Sequence, residues 1–288
     1  MIEDFTRFKK DFSEASKLGK DIKLPKYDKL VFCGIGGSAL PGDVVESLDL
    51  GIPVFTTRQK LPRIVDEKTL CFIVSYSGNT KETWNLYKHA KAKKCKIILI
   101  TSGGKLGKQK EKKVVVPSGY LPREAFLWLL LPVLNILNIY YGKIMSVNMN
   151  KIKKMASVLK NRSPLVYASS EHLGFLAYRW ETFFQENSKV IAQSGYFPEL
   201  NHNEIESRFD SRVFEGLLLY EKKEKGIANF KKLVNIDFMD VQLKGKTFID
   251  KIIYGMYFGF LLSFYLAKEM GVDYRRMDRI KKLKRMSR

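Results

Sequence analysis

Two short segments of the sequence put hydroxyl side chains and glycines where a helix is about to start. Ser75-Tyr76-Ser77-Gly78-Asn79-Thr80 follows the apolar run at 70–74 and precedes an amphipathic stretch. Gly34-Ile35-Gly36-Gly37-Ser38-Ala39 stands in the same relation to the run KLVFC at 29–33. The first turn of a helix leaves backbone N–H groups unpaired, so a glycine-rich turn at that point accepts an anion. Hydroxyl donors without a P-loop lysine suit a phosphate monoester better than a nucleoside triphosphate. Ser and Thr also cap helices without binding anything. Two such loops in succession favour the phosphate reading.

The spacing Gly34, Gly36, Ala39 fits a dinucleotide fingerprint as well, but that site needs an acidic residue about 20 positions on. Thr56-Thr57-Arg58 stands there instead. This argues against NAD, and a bare glycine fingerprint is weak support for NADP at Arg58. A third turn, Thr101-Ser102-Gly103-Gly104, is placed to wall the same site. Gly119-Tyr120-Leu121-Pro122-Arg123 precedes a long apolar stretch. An Arg in a first helical turn opposes the helix dipole, and its planar fork suits an anionic intermediate.

The second half offers proton-transfer groups. Glu186-Asn187-Ser188-Lys189 closes a predicted helix over 174–187, and Pro198-Glu199-Leu200-Asn201-His202-Asn203-Glu204 follows one strand later. Arg179 and Glu186 are seven apart, which predicts one helix face opposite the apolar stripe of Leu173, Leu176, Ala177, Trp180 and Phe184. Of the three histidines, His89 and His172 read as structural. His202, between two asparagines, can give or take a proton near neutral pH. A loop histidine or a helix glutamate is also often just a solvated residue, and periodicity does not choose between the two.

These groups need elements to hold them. Strands are predicted at 29–33, 52–56, 70–74, 96–101 and 113–116, with helices at 43–48, 81–92 and 123–140. Strands at this spacing with helices between them predict a parallel sheet covered on both faces. After a Lys-rich linker and surface helix at 142–162, the pattern restarts. Strands are expected at 165–168, 189–193, 212–220 and 233–237, with a hairpin or loop at 221–232 and a long apolar helix at 247–270. Two open α/β sheets of similar build are the expected architecture.

The 288 residues, with 19 Phe and 14 Tyr, exclude a disordered chain. Cys33, Cys71 and Cys95 are too few for a disulfide framework; they read as small core hydrophobes in a reducing cytoplasm. The charged start lacks a signal-peptide core, the apolar stretch at 125–141 is interrupted by Pro132, Asn135 and Asn138, and that at 252–267 falls short of the ~20 residues a membrane span needs. A protein that is soluble, without a membrane partner, is expected. The 51 Lys+Arg against 30 Asp+Glu give a net charge of +21. The excess is spread over helix faces and a tail from Arg275 to Arg288, with no nucleic-acid-binding motif beside it. It reads as solvated surface and a field that attracts a small anion, with no nucleic acid as partner.

In order along the chain, GIGGSA, SYSGNT, GYLPREAF and the ENSK…PELNHNEI block resemble the sugar isomerase (SIS) domain superfamily. More narrowly, they resemble its bifunctional phosphoglucose/phosphomannose isomerases. The resemblance implies two SIS-type domains, 1–145 and 146–288, each a mainly parallel sheet flanked by helices in a flavodoxin-like three-layer arrangement. It implies interconversion of glucose 6-phosphate and fructose 6-phosphate through a cis-enediol, without metal or other cofactor. Gly36, Gly37, Ser38, Ser75, Ser77 and Thr80 would hold the phosphate. Glu186 would be the base, His202 would open the sugar ring, Arg123 would stabilise the enediolate, and Lys282 would approach the substrate. In that family the histidine comes from the other subunit, so a homodimer is implied.

The family commonly carries Asp-Pro-Thr-Pro-Val before its C-terminal lysine, the threonine being linked to mannose 6-phosphate. Asp273-Tyr274-Arg275-Arg276-Met277 stands here. A long cation in place of a small hydroxyl is expected to alter epimer choice or to close part of the pocket. The rival readings are a non-catalytic phosphosugar sensor or regulator, and a nucleic-acid-binding protein. Superfamily regulators usually add a DNA-binding domain, and only 28 residues precede the first strand here.

Overall fold

A computed structural model describes residues 5–222 and 225–286. The chain divides into two compact units, Met1–Tyr140 and Tyr141–Arg288. In chain order the first holds α1 (Phe5–Ala15), β1 (Lys29–Cys33), α2 (Leu40–Glu46), β2 (Val54–Thr57), β3 (Thr69–Val74), α3 (Lys81–Ala92), β4 (Lys96–Thr101), the single turn α4 (Gly104–Gly107), β5 (Lys112–Val115) and α5 (Phe126–Ile136). The second holds α6 (Met149–Leu159), β6 (Ser163–Ala168), α7 (Gly174–Phe183), β7 (Gln193–Tyr196), β8 (Phe214–Tyr220), α8 (Lys225–Leu233), β9 (Phe238–Gln242), α9 (Phe248–Glu269) and α10 (Asp278–Met286).

Each unit is built on a parallel sheet, β2-β1-β3-β4-β5 in the first and β7-β6-β8-β9 in the second. The central strands β1 and β3 are buried at every residue, as continuous apolar runs covered on both faces must be. Val31 and Cys33 face the α3 side with Leu86 and Ala90. Phe32 points the other way, stacks on Phe72 at 5.0 Å and meets α2. There a Cβ on Gly42 would lie 2.4 Å from Phe32 Cβ, so only glycine lets α2 come so close. In both sheets the strand order reverses beside the first strand, and that reversal opens a crevice at the strand C-termini.

In the second unit Leu165, Tyr167, Leu218 and Tyr220 pack on Ile227 and Phe230 of α8. Thr247 and Asp250 form a capping box that starts α9, which is buried along most of its 22 residues. It is long and apolar enough to cross a membrane, but 89% of its most apolar window is buried inside the fold. Trp180 explains part of that packing. Its ring lies against Gly259 and its Nε1 donates to the carbonyl of Gly255 at 2.9 Å.

Several sequence expectations shift. The helix expected at 123–140 is shorter, because a closed turn at 121–124 precedes it and Leu137 and Asn138 end it, Asn138 with a φ of 54°. The strand expected at 189–193 starts only at Gln193. The Lys-rich 221–232 segment, expected as hairpin or loop, contains α8, whose Ile227 and Phe230 sit three apart on one buried stripe. The strand expected at 233–237 accordingly begins at Phe238. Lys223 and Glu224 of that segment lie outside the described residues. Arg179 is buried, 3% exposed, rather than on a solvent face, because α7 is covered by β6 and β7 on one side and α9 on another.

Candidate active site

In the first unit the β1 and β3 turns meet at the strand-order reversal. The backbone N–H of Tyr76 donates to Ser38 Oγ at 3.1 Å, a buried bond that joins GIGGSA to SYSGNT. Gly36 (φ 58°) and Gly78 (φ 65°) take left-handed backbone, which glycine adopts without cost. A Cβ on Gly78 would stand 1.8 Å from the carbonyl oxygen of Gly103, so the β3 and β4 turns are in backbone contact. Ser102 Oγ donates to Tyr76 O at 2.6 Å and the N–H of Lys105 donates to Asn79 Oδ1 at 3.0 Å, which completes a three-turn cluster.

The candidate phosphate groups sit in this cluster. Ser75, 1% exposed, donates its Oγ proton to Thr80 Oγ1 at 3.2 Å. Thr80 occupies the N-cap of α3 without capping it through its side chain, so its hydroxyl faces the turn rather than the helix end. Ser38 is 8% exposed, and Ser77, at the surface, accepts a bond from the N–H of Asn79. Gly37 packs against the turn that carries Arg123, since a Cβ there would lie 2.9 Å from Pro122 O.

Arg123 is 5% exposed and precedes α5, so it is not in a first helical turn as the sequence suggested. Leu121 N donates to Glu124 Oε2 at 3.1 Å and Glu124 N donates to Leu121 O at 2.8 Å, closing the turn around it. Tyr76 reaches this segment too. Its hydroxyl accepts from Tyr120 N at 2.8 Å and donates to Pro117 O at 2.9 Å. Tyr120 in turn donates to Asp11 Oδ1 of α1 at 2.8 Å, and burial pushes the Asp11 carboxyl above its ordinary value. Sequence reading assigned Tyr76 no role, and its bonds make it the tie between the phosphate loops and the Arg123 turn.

In the second unit α7 runs into a π turn, Phe184–Ser188, that carries Glu186. Such turns insert an extra residue and re-aim side chains. Two buried bonds fix it to α9: Asn187 Nδ2 donates to Ser263 Oγ at 2.8 Å and Ser188 Oγ to Ser263 O at 2.7 Å. Glu186, half-buried, lines a cleft of about 740 Å³ with Gln185, Lys189 and residues 276–280. Arg275, the residue in place of the family threonine, lies outside that lining. Its Nε donates to Tyr274 Oη at 2.9 Å and its guanidinium sits 5.6 Å from the Tyr274 ring.

His202 caps a short 3-10 turn, Glu199–Asn201, and is exposed. Within this unit it does not line the Glu186 cleft, and neither does Lys282, which is exposed on α10. The loop of His202 is anchored by buried Leu200 and by Tyr167, whose hydroxyl donates to Glu204 Oε1 at 3.1 Å. Burial raises the Glu204 carboxyl, the Tyr167 bond offsetting only part of the effect. A carboxyl raised on folding contributes stability that is full below its unfolded pKa and is lost as pH rises through its folded one. Glu204→Gln should therefore gain stability relative to the parent as the pH rises above about 4, measured by urea unfolding. A pH-independent difference would contradict the assignment.

His172, at the end of β6, shares a 2.9 Å contact with Glu221 at the end of β8, and Lys251 donates to the same carboxylate at 2.5 Å. The strand-end crevice of the second sheet thus holds an ion cluster where the first sheet holds hydroxyls, consistent with a structural His172. His89 is exposed on α3. Cys33 and Cys71 are fully buried, and burial pushes the Cys33 thiol up, as expected for core residues. Among the described residues no group of three or more His, Cys, Asp or Glu is arranged to hold a metal ion.

Two parallel sheets flanked by helices are the architecture of tandem SIS-type domains, a class of phosphosugar isomerase and phosphosugar-binding folds. The bacterial phospho-glucose isomerase C-terminal SIS domain model matches residues 148–286, and the SIS domain model matches 58–116. The bifunctional phosphoglucose/phosphomannose isomerase of Thermoplasma volcanium is 34% identical, over 93% of this chain and 94% of its own. The D-glucosamine-6-phosphate 4-epimerase of Sulfolobus acidocaldarius is 35% identical over 72% of each. The crystal structure of glucosamine-6-phosphate deaminase from Thermotoga maritima superposes with a TM-score of 0.67 at 16% identity, over 94% of this chain and 96% of that one. The chain belongs to the bifunctional phosphoglucose/phosphomannose isomerase family.

Proposed function

We propose that this protein interconverts glucose 6-phosphate and fructose 6-phosphate, with mannose 6-phosphate as a further candidate aldose. The observation that carries the reading is Glu186. A carboxylate on a π turn lines a cleft in the half of the chain that the phosphoglucose isomerase model covers.

In this reading the phosphate is gripped by the N–H groups and hydroxyls of Gly36, Gly37, Ser38, Ser75, Ser77 and Thr80. His202, contributed by a second copy of the chain, opens the sugar ring. The Glu186 carboxylate takes the proton from C2 of the open aldose, leaving a cis-enediolate. O1 gains a proton and the O2 hydroxyl gives one up by way of the cis-enediol, and the Glu186 carboxylic acid returns its proton to C1, so no electrons leave the sugar. The Arg123 guanidinium offsets the charge that develops on the enediolate oxygen, and Lys282 approaches the same substrate. The three cysteines are unbridged, which suits a reducing cytoplasm.

The test is a coupled assay of the purified protein with each 6-phosphate, in chelator. Turnover of glucose 6-phosphate supports the reading. Binding of fructose 6-phosphate without turnover would instead favour a sensor. Turnover of glucosamine 6-phosphate alone would favour the chemistry named for the Sulfolobus relative. Because Arg275 is exposed and folded over Tyr274, Arg275→Thr should leave the ratio of glucose to mannose 6-phosphate rates within about twofold, the usual reach of a surface change. A larger swing towards mannose 6-phosphate would place Arg275 at the sugar.

A further inference from the structure

Lys189 follows the π turn and adopts a left-handed backbone, φ 64° and ψ 23°. At a helix end that conformation is usual for glycine and strained for a long side chain. The ammonium supplies a reason for the lysine. Nζ donates to the carbonyl of Glu186 at 2.5 Å, of Arg276 at 2.7 Å and of Tyr274 at 3.5 Å. An ammonium has three donors. The first acceptor is the main chain of the candidate base itself. The other two belong to the segment after α9 that forms the opposite wall of the Glu186 cleft. That segment is rooted on α9 by Tyr274, which packs edge-on against Phe264 at 4.9 Å.

We infer that Lys189 is a positioning residue for Glu186: its ammonium pins the Glu186 peptide and sets the width of the cleft between the π turn and residues 276–280. The inference rests on the reading of Glu186 as the base. It accounts for a strained lysine where backbone preference alone would select glycine. The carboxylate is aimed from one side by the Asn187 and Ser188 bonds to Ser263, and from the other by this three-carbonyl tie.

Lys189→Gly separates the two roles, since glycine relieves the backbone and removes the ammonium that makes the tie. The variant is expected to melt at or above the parent temperature while hydrogen exchange quickens at 184–190 and 274–280. Its kcat for fructose 6-phosphate should fall about 10–100-fold, the cost of misplacing a catalytic group by about 1 Å, with KM within twofold. Lys189→Arg, which keeps a cation, should recover part of the loss. Unchanged exchange at both segments would overturn the tie, and faster exchange with parental kcat would overturn the positioning role. Should the parent protein turn over no sugar phosphate, the reading of Glu186 fails, while the exchange comparison still decides whether Lys189 joins the two walls.

Discussion

Glu186→Gln is expected to lower kcat for the aldose–ketose interconversion by about 10²–10⁴-fold, the range general acid–base groups contribute. Glutamine keeps the volume and the hydrogen-bonding reach of the side chain but cannot accept the C2 proton. The bonds that Asn187, Ser188 and Lys189 make to hold the π turn do not use the carboxylate and stay in place in the variant. KM and the melting temperature should therefore stay close to those of the parent protein. Steady-state kinetics with calorimetry on the same preparation checks both halves of this. A variant with full turnover would remove Glu186 from the chemistry.

The second large effect is expected at Gly78. Valine there meets two separate obstacles. The φ of 65° lies in the region that β-branched residues essentially never adopt, and the new Cβ would stand 1.8 Å from the Gly103 carbonyl oxygen and 2.8 Å from Thr101 Oγ1. Neither neighbour can yield as the end of a flexible side chain would, so the β3 turn must leave the β4 turn. Left-handed strain of about 1–2 kcal/mol and overpacking of about 1–3 kcal/mol together predict a loss of roughly 2–5 kcal/mol. Melting should drop on the order of 10 °C for a unit of this size, and stabilisation by added fructose 6-phosphate should vanish. Gly36→Ala is the matched contrast. Its φ is 58° but nothing lies within 4 Å of a Cβ there, so only the smaller backbone cost of about 1–2 kcal/mol is expected. Equal losses for the two variants would mean that the Gly78–Gly103 contact does not hold the turns together.

The central strands and the turns after them were legible because double-sided burial leaves an unmistakable run. KLVFC, LCFIV and KIILIT each end in glycine or hydroxyl residues, and the sheet places those ends side by side. What failed has a common cause in periodicity. The hydrophobic stretch around α5 continues past both helix ends, so apolarity could not reveal the Leu121–Glu124 turn that brings Arg123 out of the helix. The five lysines and glutamates of the sequence at 221–225 obscured Ile227 and Phe230 of α8.

The argument that Arg179 and Glu186 share a face assumed 3.6 residues per turn throughout. The π turn between them adds a residue, which rotates everything beyond it by roughly 100°. Arg179 is in the core and Glu186 is on a cleft. The ties that shape the site escaped for another reason. Ser38 bonds a backbone N–H 38 residues away, Tyr76 one 44 residues away, and Lys189 a carbonyl 87 residues away. Backbone partners carry no residue type, so no sequence pattern points to them.

The most direct test follows hydrogen at carbon. Fructose 6-phosphate is incubated with the protein in D₂O and the glucose 6-phosphate formed is examined by NMR. Proton transfer through Glu186 predicts deuterium accumulating at C2 as incubation lengthens, and neither product nor label above background with Glu186→Gln. Product that keeps protium at C2 throughout, or label that forms equally well without the carboxylate, would contradict it.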